Sequence, residues 1–120
     1  MKLSDIEQAI IDQLKPRAYE YPITRKHLAE YLKSQRLMIS KDDRPMRLAI
    51  EELRKKGYLV CHRKGKDGGY FLAQTLRHYE DFRNREYKSR IISISKTMKM
   101  MDKAAELMFD DEIQLELFYL

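Results

Sequence analysis

The sequence predicts a mainly α fold with a small β component (α+β): three short helices, a β-hairpin and a long C-terminal helix. Three observations predict it. Apolar residues recur at helical spacing in three stretches before Gly57. Two short β-prone runs then flank a glycine-rich segment, KGKDGG. Beyond Thr75 an apolar repeat with alternating steps of four and three continues almost to the C-terminus.

The first helix is read in SDIEQAIIDQLK. Ser4 stands at the capping position with Glu7 three residues later, the spacing of a capping box, and Ile6, Ile10 and Leu14 form one stripe widened by Ala9 and Ile11. Pro16 ends it, and RAYEYP reads as an irregular connection. Thr24 opens a second helix, RKHLAEYLKS, in which Leu28, Tyr31 and Leu32 share a face. A third runs through RPMRLAIEELRKKG. It begins between Ser40 and Pro45, because proline is tolerated only in a first turn. Met46, Ala49, Ile50 and Leu53 make its buried face, Arg44, Arg47 and Arg54 point elsewhere, and Gly57 is a natural C-terminal stop.

YLVCHR and YFLA then read as the strands of a hairpin around KGKDGG. Thr75 caps a helix expected from Leu76 to Phe109, in which Tyr87, Ile91, Ile94, Met98, Met101, Ala105 and Met108 form a heptad seam. Within it RIISISKT is rich in β-branched residues and competes as a strand, but the seam keeps its register on both sides. The seam predicts self-association, a homo-oligomer of coiled-coil type. Like charges at Arg83, Lys88 and Arg90 disfavour a simple parallel pair near its start, leaving an antiparallel pair, a fold-back or a larger bundle. The expected organisation is a folded unit over residues 1–74, an oligomerisation helix over 75–109 and an acidic, hydrophobic tail over 110–120.

A chain of 120 residues can bury a core without staples. It has one cysteine, Cys61, so no internal disulfide can form, which fits a reducing cytoplasm. No apolar run is long enough to span a membrane, and MKLSDIEQAI lacks a signal-peptide core, so a soluble intracellular protein is expected with no membrane partner. The net charge of +5 is unevenly placed. From residue 102 onwards six acids (Asp102, Glu106, Asp110, Asp111, Glu112, Glu116) stand against Lys103, so that end carries −5 and the remainder +10. A basic body favours a polyanion such as nucleic acid, and an acidic apolar tip favours a protein.

The order of elements over residues 4–73, in particular ITRKHLAEYL, then RPMRLAIEELRKKGYLV, then HRKGKDGGYFLA, resembles a winged helix-turn-helix domain. The whole-chain pattern also looks like small winged-helix proteins carried by bacteriophages and prophages. The resemblance implies binding of double-stranded DNA, with the third helix in the major groove and the hairpin as a wing. Arg44 and Arg47, at the start of that helix, are then placed to read bases, arginine being able to pair bidentately with guanine. Lys26 and Lys41 are placed to touch phosphates, as are Arg63, Lys64 and Lys66 of the wing, where Gly65, Gly68 and Gly69 would let the backbone approach DNA. Asp42 and Asp43 suit the helix dipole but repel phosphate, and a winged helix used only for protein contacts is the alternative.

The tail ends in EIQLELFYL. Its pentapeptide Gln114, Leu115, Glu116, Leu117, Phe118 resembles the bacterial sliding-clamp binding motif, which implies that Gln114 orients at the rim of a clamp pocket while Leu115, Leu117 and Phe118 anchor in it. The alternative is that the tail packs into the core as a last strand or turn of helix. His27, His62, His78 and Cys61 lack metal-ligand spacing, and GKDGG lies in a hairpin rather than between a strand and a helix. No metal, cofactor or catalytic activity is expected. The functional expectation is a DNA-binding protein of replication, recombination or their control that docks on the sliding clamp, with a dimeric transcriptional regulator or a protein adaptor as alternatives.

Overall fold

The computed structural model describes residues 2–39 and 41–109. It is mainly helical, in the order α1 (Asp5–Leu14), α2 (Arg25–Ser34), α3 (Arg44–Lys55), β1 (Val60–Arg63), β2 (Gly69–Leu72), α4 (Leu76–Arg83), a π-helical turn (Asn84–Lys88) and α5 (Ser89–Phe109). Helix thus extends from Leu76 to Phe109, as the seam predicts, and RIISISKT is helical rather than a strand. This architecture is compatible with a winged-helix-like fold.

The local signals act as their chemistry requires. Ser4 Oγ accepts from the Glu7 amide while Glu7 Oε1 accepts from the Ser4 amide, completing the capping box of α1. Thr24 accepts from the His27 amide and Thr75 from that of His78, so each satisfies an orphan donor at its helix start. Pro45 falls in the first turn of α3. At its other end the Tyr58 amide donates to Leu53 and the Gly57 amide to Arg54, with Gly57 at a φ of 94°: a Schellman close that only glycine adopts without strain. Helix α2 closes the same way, its Leu37 amide donating to Leu32 and its Arg36 amide to Lys33, but the left-handed position, φ 58°, is held by Arg36.

The core joins one stripe from each helix to the hairpin. Ile10 and Leu14 of α1, Leu28 and Leu32 of α2, Met46, Ile50 and Leu53 of α3, and Val60 of β1 are essentially excluded from water. The strands pair antiparallel, with Val60 opposite Leu72 and Arg63 opposite Gly69. The connection before α2 contributes an unexpected bridge: the Ile23 amide donates to the Tyr70 carbonyl at 2.9 Å and the Tyr70 amide to the Ile23 carbonyl at 2.7 Å. Gly69 makes this possible, since a Cβ there would stand 2.2 Å from the Ile23 carbonyl oxygen.

The chain divides into two compact units, one ending at Phe82 and one beginning at Arg83. The first therefore runs past the boundary expected at residue 74. Phe82 is buried beneath the Arg54 guanidinium, and His78 stacks on Tyr19 at 4.4 Å, so α4 belongs with the hairpin side of this unit. In the second unit the π turn is marked by the Ser89 amide reaching back to the Asn84 carbonyl, which also accepts from Ser89 Oγ. Tyr87 lies inside that turn, so the regular seam begins at Ile91. The acidic tail and its pentapeptide lie outside the described residues.

Candidate nucleic-acid interface

Helix α3 buries Met46, Ala49, Ile50 and Leu53, which fixes its rotation and turns Arg44, Arg47 and Leu48 outward. Lys26, in the first turn of α2, and Lys41, ahead of α3, are likewise exposed. Between these helix starts lies an open groove of about 420 Å³, bordered by Arg25, Lys26, Lys33 and Lys41 but also by Glu30, Asp42 and Asp43. The rim is thus a mixed-charge surface with a cationic excess.

Asp43 is its hinge point. Its carboxylate accepts from Arg25, through Nε and through the second guanidinium nitrogen at 2.8 Å, and from Arg47 Nε at 2.9 Å. Asp42 reaches Arg47 at 3.5 Å and accepts from the Arg44 amide at 3.1 Å. Hydrogen bonding from Arg25 holds the Asp43 carboxyl at about 2, well below the ordinary aspartate value, with Arg47 adding to the effect. The sequence marked Arg47 as a base reader and Asp43 as a repulsive neighbour. In the fold the two are one network, and the aspartate sets the direction of the arginine.

The hairpin divides its basic residues. Lys64 and Lys66 are exposed at the tip. Arg63 is half-buried: it donates to the Asp67 carbonyl at 2.7 Å and lies over the Tyr19 ring at 5.3 Å, so much of its guanidinium is spent inside the unit. The glycines also have a role inside the unit. Gly68 and Gly69 lack side chains because a Cβ would stand 2.1 Å from the Arg63 carbonyl oxygen in one case and 2.2 Å from that of Ile23 in the other, and Gly65 carries a φ of 114°. Each thus serves the hairpin itself, letting it close at Gly65 and Gly68 and meet Ile23 at Gly69.

No family model, curated protein or solved structure matches the chain. What the surface can do must therefore come from its own chemistry. Among the described residues no group of three His, Cys, Asp or Glu side chains is placed to hold a metal ion, and no helix is long and apolar enough to cross a membrane.

A second feature lies opposite in character. Glu7, 5% exposed, accepts from Lys56 Nζ at 2.9 and 2.8 Å, which ties the first turn of α1 to the end of α3. The Lys56 hydrogen bond, with those from Ser4, lowers its carboxyl to about 2. The sequence assigns Glu7 only to the capping box with Ser4, and Lys56 follows the last residue of α3, so only the fold reveals the pair.

Proposed function

We propose that the chain is a non-enzymatic, cytoplasmic DNA-binding protein of replication or recombination, or of their control, of the winged-helix kind found in phages and prophages. The observation that carries this reading is the rim of outward cations, Lys26, Lys41, Arg44 and Arg47, around the starts of α2 and α3, with Lys64 and Lys66 on the hairpin tip. None of these is needed to close the core, which α1, α2, α3 and the hairpin complete with apolar side chains. A helix start that presents arginines suits the major groove, and a pair of exposed lysines suits phosphate. In the same reading Gln114, Leu115, Leu117 and Phe118 dock on the bacterial sliding clamp, supported by the likeness of their order to the clamp-binding motif and by the acids around it, which keep that end off DNA.

Two titrations test it. Duplex DNA followed by fluorescence anisotropy should bind with a strong salt dependence. Arg44→Ala with Arg47→Ala should lower affinity and flatten sequence preference, whereas Lys64→Ala with Lys66→Ala should weaken all duplexes alike and reduce the salt slope by about 2. A bacterial sliding clamp should bind saturably, and Leu117→Ala with Phe118→Ala should abolish that binding with the fold intact. A second reading, a protein adaptor, draws on the pairing of Arg25 and Arg47 with Asp43. It takes over if duplex DNA fails to bind at low salt.

A further inference from the structure

Helix α5 has no buried residue. Its seam side chains Ile91, Ile94, Met98, Met101 and Met108 are each between 56% and 74% exposed, and Phe109 is 52% exposed. An apolar stripe of this size on a polar chain requires a cover. The regular steps of three and four from Ile91 to Met108 match what a second helix, rather than a flat surface, presents as holes for knobs.

We propose that the cover is α5 of a second copy of this chain, running antiparallel. Charge sets the direction. The first half of the helix, through Lys99, carries Arg90, Lys96 and Lys99 and no acid, while the second half carries Asp102 and Glu106 against Lys103. The acids Asp110, Asp111 and Glu112 are attached directly beyond it. At 1.5 Å per residue the helix is about 30 Å long. That is several times the screening length of about 8 Å in physiological salt, so each half is governed by what lies beside it. A parallel pair sets a +3 half on a +3 half. An antiparallel pair sets each +3 half on an acidic one, and it also opposes the two helix dipoles favourably.

The seam then fixes the register. Met98 faces Met101 of the second copy, Ile94 faces Ala105 and Ile91 faces Met108, every layer occurring twice about the dyad. Ser95, Thr97, Asp102 and Ala104 border the seam, and none brings like charges together in this arrangement. Methionine-rich central layers over a short seam give an adaptable interface, so the dimer is concentration-dependent, in the micromolar range rather than tighter.

The experiment uses the full-length chain. Sedimentation across a wide concentration range should show a monomer–dimer equilibrium, and Ile94→Lys with Met101→Lys should give a monomer at all concentrations with an unchanged melting transition of the first unit. Orientation is read by oxidising single-cysteine proteins in which Cys61→Ala removes the native thiol and Met98→Cys or Met101→Cys supplies the new one. Mixed together they should form a disulfide-linked heterodimer at least several-fold more readily than either links to itself. Equal self-linking by each variant would make the pair parallel and overturn the proposal, as would a wild-type monomer throughout. A wild-type monomer that dimerises once residues 110–120 are removed would assign the cover to the chain's own tail instead.

Discussion

Arg36 is the residue at which the sequence and the backbone disagree most plainly. It fills the left-handed position that closes α2, a conformation that costs an ordinary side chain about 1 kcal/mol and glycine almost nothing. Arg36→Gly should therefore stabilise the protein by about 0.5–1 kcal/mol in chemical denaturation, despite the greater freedom that glycine gives the unfolded chain. Glu7 works in the opposite sense. Its carboxyl is lowered to about 2 in the fold, so its contribution is complete above the unfolded value near 4.5 and disappears as pH falls towards 2. Lys56→Met strands the carboxylate and should cost about 2–4 kcal/mol at pH 7. The same variant should show a shallower loss of stability between pH 5 and 2, because less of the shift is left to lose. In the proposed DNA-binding reading Asp43 trades stability against affinity: Asp43→Asn should lower stability by about 1 kcal/mol, its arginine partners being half exposed. It should also raise affinity for any duplex several-fold and steepen the salt slope by about 1, measured by anisotropy at a series of salt concentrations.

Elements were legible where a signal sits within a few residues of what it controls. The Ser4 and Thr24 caps, the stripe Met46, Ala49, Ile50, Leu53 and the Gly57 stop each act through one or two turns of backbone, so a linear reading finds them. The failures are contacts across long separations or single-residue elements. The bridge at Ile23 occupies one residue of a stretch that reads as irregular, and the Glu7–Lys56 pair joins positions 49 apart. The π turn leaves no periodic trace either, because one extra residue merely displaces the repeat. In the candidate interface the residue types were legible, but their allegiances were not: Arg47 belongs to Asp43 and Arg63 to Asp67 and Tyr19. At this scale the hairpin gives the sharpest test. Gly69→Ala should push the β2 backbone off Ile23, lowering the melting temperature by several degrees, whereas Lys66→Ala on the tip should leave it unchanged.

On the scale of the whole molecule, the buried core and the exposed seam fall in different units. Among the described residues, every buried core residue precedes Arg83, while the long apolar seam follows it. A chain ending at residue 88 should therefore keep a single cooperative melting transition by circular dichroism. Loss of that transition would show that α5 is needed for the core. The Ile23–Tyr70 bridge has a kinetic consequence. Its two hydrogen bonds clasp the whole of α2, α3 and β1 within one closed loop. Helices in such a unit can flicker into existence locally, but the clasp cannot form until the chain has come back on itself, and that search carries an entropic toll. The unit should consequently fold more slowly than a three-helix bundle of equal size. The amides of Ile23 and Tyr70 should be among its last to exchange with solvent deuterium, released only when the entire loop springs open.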